Sequence, residues 1–142
     1  MSDKPVAAAN DDDVLDIFNE FAVSDEAVAV PYKGVEFLIA RDGNSKYRRR
    51  LAYFYEKNKR VLDGKGQAAE EKSNEIMATV MAEAILVGWN GTIAFKGEKL
   101  AYSKENAAKL LSVQTFREWV AKQSRDEELY KVVKDKEDVE NF

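Results

Sequence analysis

Leu86-Val-Gly-Trp-Asn-Gly-Thr-Ile-Ala-Phe-Lys-Gly-Glu-Lys-Leu-Ala-Tyr-Ser-Lys-Glu-Asn-Ala-Ala-Lys-Leu-Leu111 is the stretch on which the reading of this chain turns. An apolar helix runs into a glycine-bounded turn holding Trp89, a short excursion follows, and Ser103 opens a second helix. Gly88 and Gly91 relieve the backbone around a bulky aromatic, and the Ser103 hydroxyl can accept from the open amides of the next turn. No residue in the stretch is a nucleophile with a base beside it. It reads as a scaffold for contact.

Upstream of that junction the period is helical. Gln67 to Val87 carries an apolar stripe of Ile76, Met77, Val80, Met81, Ala84 and Ile85, with Glu70, Glu71, Lys72, Glu75, Thr79 and Glu83 on the rest of the surface. Before it, Asp42-Gly-Asn-Ser45 offers caps for a helix from about Lys46 to Leu62. Its buried face is expected at Tyr47, Leu51, Phe54, Tyr55, Asn58, Val61 and Leu62. Asp63-Gly-Lys-Gly66 ends it by turn chemistry, and the short connector argues for an antiparallel helix pair. Earlier still the period drops to two. Val28, Val30 and Tyr32, then Val35, Phe37 and Ile39, flank Lys33-Gly34, which predicts a β-hairpin whose apolar face lies on helices or a partner.

Downstream, the segment from Gly91 to Tyr102 reads either as a second small hairpin around Gly97 or as a loop with strand-like ends, the loop being favoured. A helix from Lys104 to Leu111 follows, and Thr115-x-x-Glu118 has the spacing of a capping box for another. Phe116, Trp119 and Val120 give that helix an apolar side, and Leu129, Tyr130, Val132 and Val133 extend the helical region. The fold class expected is helix-dominated α+β, an N-terminal β-hairpin packed on a bundle of about four helices. Residues 1–13 read as a flexible tail, with Asp13 capping a short helix through Phe21; 14–133 read as one globular domain, and 134–142 as a charged tail.

Composition narrows the chemistry. At 142 residues, 45% hydrophobic and 34% charged, the chain can bury a core beneath much solvated helix surface. A net charge of −4 argues against a duplex-binding protein. The sequence has no cysteine and no histidine, which removes disulfides, thiolate sites, the commonest general base and the commonest zinc ligand. Neither a cofactor nor a metal is called for, and no enzymatic activity is expected. No apolar run approaches the ~20 residues that span a bilayer, and the first residues show no signal-peptide pattern. Asn90-Gly-Thr92 matches a glycosylation sequon by chance.

Two groups of residues are candidates for partner binding. Arg49, Arg50, Tyr53 and Lys57 fall on the solvent face of the first long helix, where such a basic strip is usually a solvated surface; as a site, with an aromatic interleaved, it suits an acidic protein partner better than nucleic acid. Ile93 and Phe95 sit on the polar excursion and are natural contacts for another subunit wherever they are exposed. Trp89 and Gly91 are given structural roles, the indole filling the gap between helices and excursion. Asp63-Gly-Lys-Gly66 lacks the spacing of a phosphate loop, and Glu70, Glu71 and Glu75 have no Glu-x-x-His partners for a di-metal site.

The quoted stretch also carries a likeness. Its order of Gly-Trp-x-Gly, short polar insert and Tyr-Ser-x-Glu-Asn-Ala-x-x-Leu-Leu resembles the tail assembly chaperones of long-tailed bacteriophages. Val28-Ala-Val-Pro-Tyr-Lys-Gly-Val-Glu-Phe-Leu-Ile-Ala-Arg41 with Asn44 and Tyr47 resembles that family's hairpin and first helix. Phe116, Trp119 and the ending Glu140-Asn-Phe142 are similar as well, so the likeness spans roughly Phe18 to Phe142. The chain departs from the pattern at Asn90, where the family often has an acidic residue, and at Ala101, near which it has a proline. The resemblance implies a protein that binds the tape-measure protein, recruits tail-tube subunits, can self-associate, works in the host bacterial cytoplasm and is absent from the finished virion. It also implies a longer frameshifted form fused beyond Lys134. The rival readings are a structural tail-tube or connector subunit, and a nucleic-acid-binding module using residues 48–60.

Overall fold

The computed structural model describes residues 22–131, and the expectations for the tails, for the short helix through Phe21 and for Val132 and Val133 lie outside them. The chain divides into a main unit, Asp25–Asp126, and a small one holding the described residues on either side of it. In the main unit the elements run β1 (Val28–Tyr32), β2 (Val35–Ile39), α1 (Ser45–Lys57), α2 (Lys59–Asp63), α3 (Gln67–Ala84), β3 (Leu86–Trp89), β4 (Thr92–Phe95), β5 (Glu98–Ala101), α4 (Lys104–Leu111) and α5 (Gln114–Ser124). The fold is α+β. An N-terminal antiparallel hairpin belongs to a three-stranded sheet, and four of these helices have eight or more residues.

The sheet has the order β1-β2-β3, with β1 and β2 joined at Lys33-Gly34 as the alternation predicts. Lys33 and Gly34 both take positive φ, 49° and 85°, the conformation a two-residue hairpin turn requires. Pro31 stands on β1, where a residue without an N–H is tolerated only toward an open edge. Val30, Phe37 and Ile39 point to the buried face, while Ala29, Glu36 and Leu38 point away. The partner of β2 on its other side comes from the quoted stretch. Phe37 pairs with Trp89 and Leu38 with Gly88, then the register slips so that Ile39 meets Leu86 and Val87 bulges. Asn90 continues the ladder with its side chain, Oδ1 accepting the Glu36 N–H at 2.9 Å while its own N–H donates to the Glu36 carbonyl. A carboxamide thus closes this end of the sheet.

This corrects the sequence reading at the junction. The long helix stops at Ala84 rather than Val87, and Leu86–Trp89 is a strand. Gly88 is packed rather than a turn residue: a Cβ there would come within 2.9 Å of Leu38 Cδ1. The excursion is a second hairpin, β4 on β5, where a loop was expected. It turns on Lys96-Gly97 with φ of 49° and 83°, repeating the Lys33-Gly34 solution. Alternation over only four residues per strand was too short a signal to separate hairpin from loop.

The core is organised on α3. Ile76, Val80, Met81, Ala84 and Ile85 are buried as expected, and so are Ala78 and Ala82 on the flank, because α1 and α2 pack on one side and α4 and β3 on others. Alanines at those positions allow close approach without a bulky side chain. Leu86, Ala107, Leu111 and Val120 are fully enclosed and extend the core to β3, α4 and α5. Fully burying one such aliphatic side chain stabilises by ~1.5–3 kcal/mol, which makes this cluster the main source of stability.

Two further expectations are corrected in the helices. The first is interrupted: α1 ends at Lys57, where the Asn58 Nδ2 donates to the Phe54 carbonyl at 2.8 Å, and α2 restarts at Lys59. Its packed face is shallow, with no fully buried residue, and Tyr55 and Val61 are exposed rather than enclosed. The capping box does not form, since Thr115 is already inside α5 and Val113 holds the cap position without a side-chain bond. Ser103 does cap α4, accepting from the Asn106 N–H at 3.0 Å. In the small unit, Val23 bridges Lys131 in antiparallel fashion and α6 (Glu127–Tyr130) carries a Glu128–Lys131 ion pair at 3.0 Å.

Candidate functional site

One buried side chain sets the angle between α1 and the body. Asn44 is 6% exposed; its Oδ1 accepts the Tyr47 N–H at 2.8 Å as the cap of α1. Its Nδ2 donates to the Arg41 carbonyl and, at 3.1 Å, to the Ala84 carbonyl at the end of α3. Arg50 adds a lock one turn on, with Nε 2.6 Å from Glu83 Oε1. That hydrogen bond holds the Arg50 guanidinium above its ordinary pKa. The Asp42 N–H donates to the Ser124 carbonyl and its carboxylate faces Arg125 at 3.3 Å, tying the same corner to α5.

The α1 candidates therefore split. Arg50 is committed to Glu83, and its guanidinium carbon lies 4.9 Å from the centres of both the Tyr53 and Phe54 rings. Tyr53 is 49% exposed, with the Lys57 ammonium 5.7 Å from its ring centre. Arg49 and Lys57 are exposed on the same flank. Arg49, Tyr53 and Lys57 thus form a short outward stripe buttressed by Arg50.

Ile93 and Phe95 are half-buried, on the same side of the second hairpin as the buried Leu100 opposite Ile93. The Lys96 ammonium lies 5.3 Å from the Phe95 ring, as the Lys33 ammonium lies 5.6 Å from Tyr32 at the other turn. Trp89 is buried, its Nε1 donating to the Leu100 carbonyl at 3.3 Å, so the indole pins β5 to the end of β3. Gly91, at φ 71°, turns the chain between the two.

A larger feature emerges from residues that the sequence places far apart. Six rings touch in series: Tyr32 to Trp119 at 5.3 Å, Trp119 to Phe37 at 5.7 Å, Phe37 to Trp89 at 6.3 Å, and Trp89 to Tyr102 at 5.2 Å, with Phe116 5.6 Å from Phe37 and stacked on Trp119. Phe37 and Trp89 are buried, Phe116 and Trp119 half-buried, and the end members Tyr32 and Tyr102 are 50% and 38% exposed. Burial first, and then the Glu105 carboxylate, raises the Tyr102 hydroxyl pKa. Each edge-to-face contact adds ~0.5–1.5 kcal/mol beyond area burial, so the series is held firmly at its buried middle and ends at the surface in two tyrosine rings. Periodicity marked Phe116 and Trp119 as a helix face and Tyr32 as a strand face, but not that the two faces meet.

Among the described residues no three carboxylates converge to hold a cation, and no helix is long and apolar enough to cross a membrane. No curated protein and no solved structure matches the chain. The family described as YdaY prophage protein matches residues 42–141, from the turn before α1 through the second hairpin to the C-terminal segment, and this chain belongs to that prophage family.

Proposed function

We propose that this prophage protein is a tail assembly chaperone, a non-enzymatic binding protein that holds the tape-measure protein and recruits tail-tube subunits while the tail is built. The observation that carries this reading is the aromatic series. A rigid row of rings with a buried middle and exposed ends presents apolar area on α5 and β1 without the entropy cost of ordering flexible side chains. An amphipathic client helix lays its apolar face on such a surface, and many modest contacts along an extended client add through avidity. Self-association and absence from the finished virion belong to the same proposal.

The test is co-expression with the tape-measure protein of the same prophage. The soluble fraction of that client rises with the wild-type chain and falls back with Tyr32→Ser, a change at a half-exposed ring that leaves the core intact. A client equally insoluble with and without the chain overturns the proposal.

A further inference from the structure

The basic strip of α1 and α2 is not used by the aromatic surface, and it has its own specificity. Between Ser45 and Gly66 the sequence holds eight lysines and arginines against two carboxylates, in a chain whose net charge is −4. We propose that this arm is a second docking surface, whose occupant is a protein helix carrying a stripe of carboxylates. The inference stands on the geometry of α1 and does not depend on the identity of the client above.

Three observations select that occupant. Lys46, Arg49, Tyr53 and Lys57 are all exposed and fall within about a third of the circumference of α1, over roughly 16 Å at 1.5 Å per residue. That is the footprint of three turns of a facing helix with acids at every third or fourth position. A nucleobase needs an open ring to stack on, but two cations of this chain already lie over Tyr53, Arg50 at 4.9 Å and Lys57 at 5.7 Å. A membrane surface needs an apolar helix face to insert, but the half-buried side of α1, with Tyr47, Leu51 and Phe54, is its packed side, and Arg50–Glu83 fastens it to α3. What remains outward along this stripe is mostly positive charge, with Glu56 the one carboxylate of α1 beside it, complementary to an acidic helix.

The experiment uses the full chain and a labelled helical peptide with glutamates along one face, read by fluorescence anisotropy. Binding is expected to weaken as salt rises, to vanish when glutamine replaces glutamate, and to weaken about tenfold or more in Arg49→Glu/Lys57→Glu. Both side chains are exposed, so the variant keeps its circular dichroism; Arg49→Gln/Lys57→Gln serves if the reversal disturbs folding. Unchanged peptide binding in the charge variants overturns the proposal. So does an oligothymidylate that binds more tightly than the glutamate peptide at the same salt and is lost with the same substitutions.

Discussion

Replacing Asn44 with alanine removes a cap and a tether in one step. The cap, from Oδ1 to the Tyr47 N–H, is worth ~1 kcal/mol by comparison with other asparagine caps. Losing the tether takes the Nδ2 donor from the Ala84 carbonyl at a site 6% exposed, whereas the Arg41 carbonyl keeps the backbone N–H of residue 44, and an unsatisfied buried carbonyl costs ~1–3 kcal/mol. The expected loss is ~2–4 kcal/mol, equivalent to about 10 °C in Tm for a chain of this size. Asn44→Ser separates the two parts, because a hydroxyl keeps the cap but cannot reach across to α3. Its expected loss is about 1–2 kcal/mol smaller than alanine's. Urea unfolding followed by tryptophan fluorescence and by circular dichroism measures both variants, and coincident transitions license the comparison. An Asn44→Ala midpoint within ~0.5 kcal/mol of wild type refutes the idea that this amide joins α1 to the end of α3.

Other substitutions probe separate links. Trp89→Phe keeps apolar bulk but loses the Nε1 bond to Leu100, so global stability falls by ~1–2 kcal/mol and amide exchange in β4 and β5 accelerates more than in β1 and β2; uniform acceleration argues against a local pin. Burial chiefly, with Asp42 second, raises the Tyr47 hydroxyl pKa. A phenol whose folded pKa exceeds its unfolded value of ~10 contributes stability that is intact below that pH and is lost as pH rises through the folded value. Urea midpoints measured up the alkaline range should therefore fall more steeply for wild type than for Tyr47→Phe, and parallel curves contradict the assignment.

The sequence was legible where local pattern and long-range packing agree. Val28 to Ile39 alternates around Lys33-Gly34, and both halves of that signal are short-range, so the first hairpin and its buried face follow directly. The α3 stripe is legible for the same reason, and so is the Ser103 cap. Leu86–Trp89 misleads because an apolar tetrad after an apolar helix looks like more helix; only pairing with Phe37 and Leu38, far away in the chain, makes it a strand. Val61 reads as inward because a helical wheel cannot know that Asn58 breaks the helix, and Tyr55 because it cannot show how shallow the packed face of α1 is. At the candidate surfaces, the basic strip could be read from spacing. The commitment of Arg50 to Glu83 and the meeting of Tyr32 with Trp119 could not, since both depend on partners at distant positions.

Pro31 on β1 has a consequence for crowding. Among the described residues no strand lies beyond β1, so its outer rim offers the row of backbone groups along which two copies of a sheet can zip together. A second copy laid there meets a rung with no hydrogen to give, at the fourth residue of a five-residue strand. Molecules of this kind can stand shoulder to shoulder at high density and still meet through side chains rather than fuse into a common ribbon.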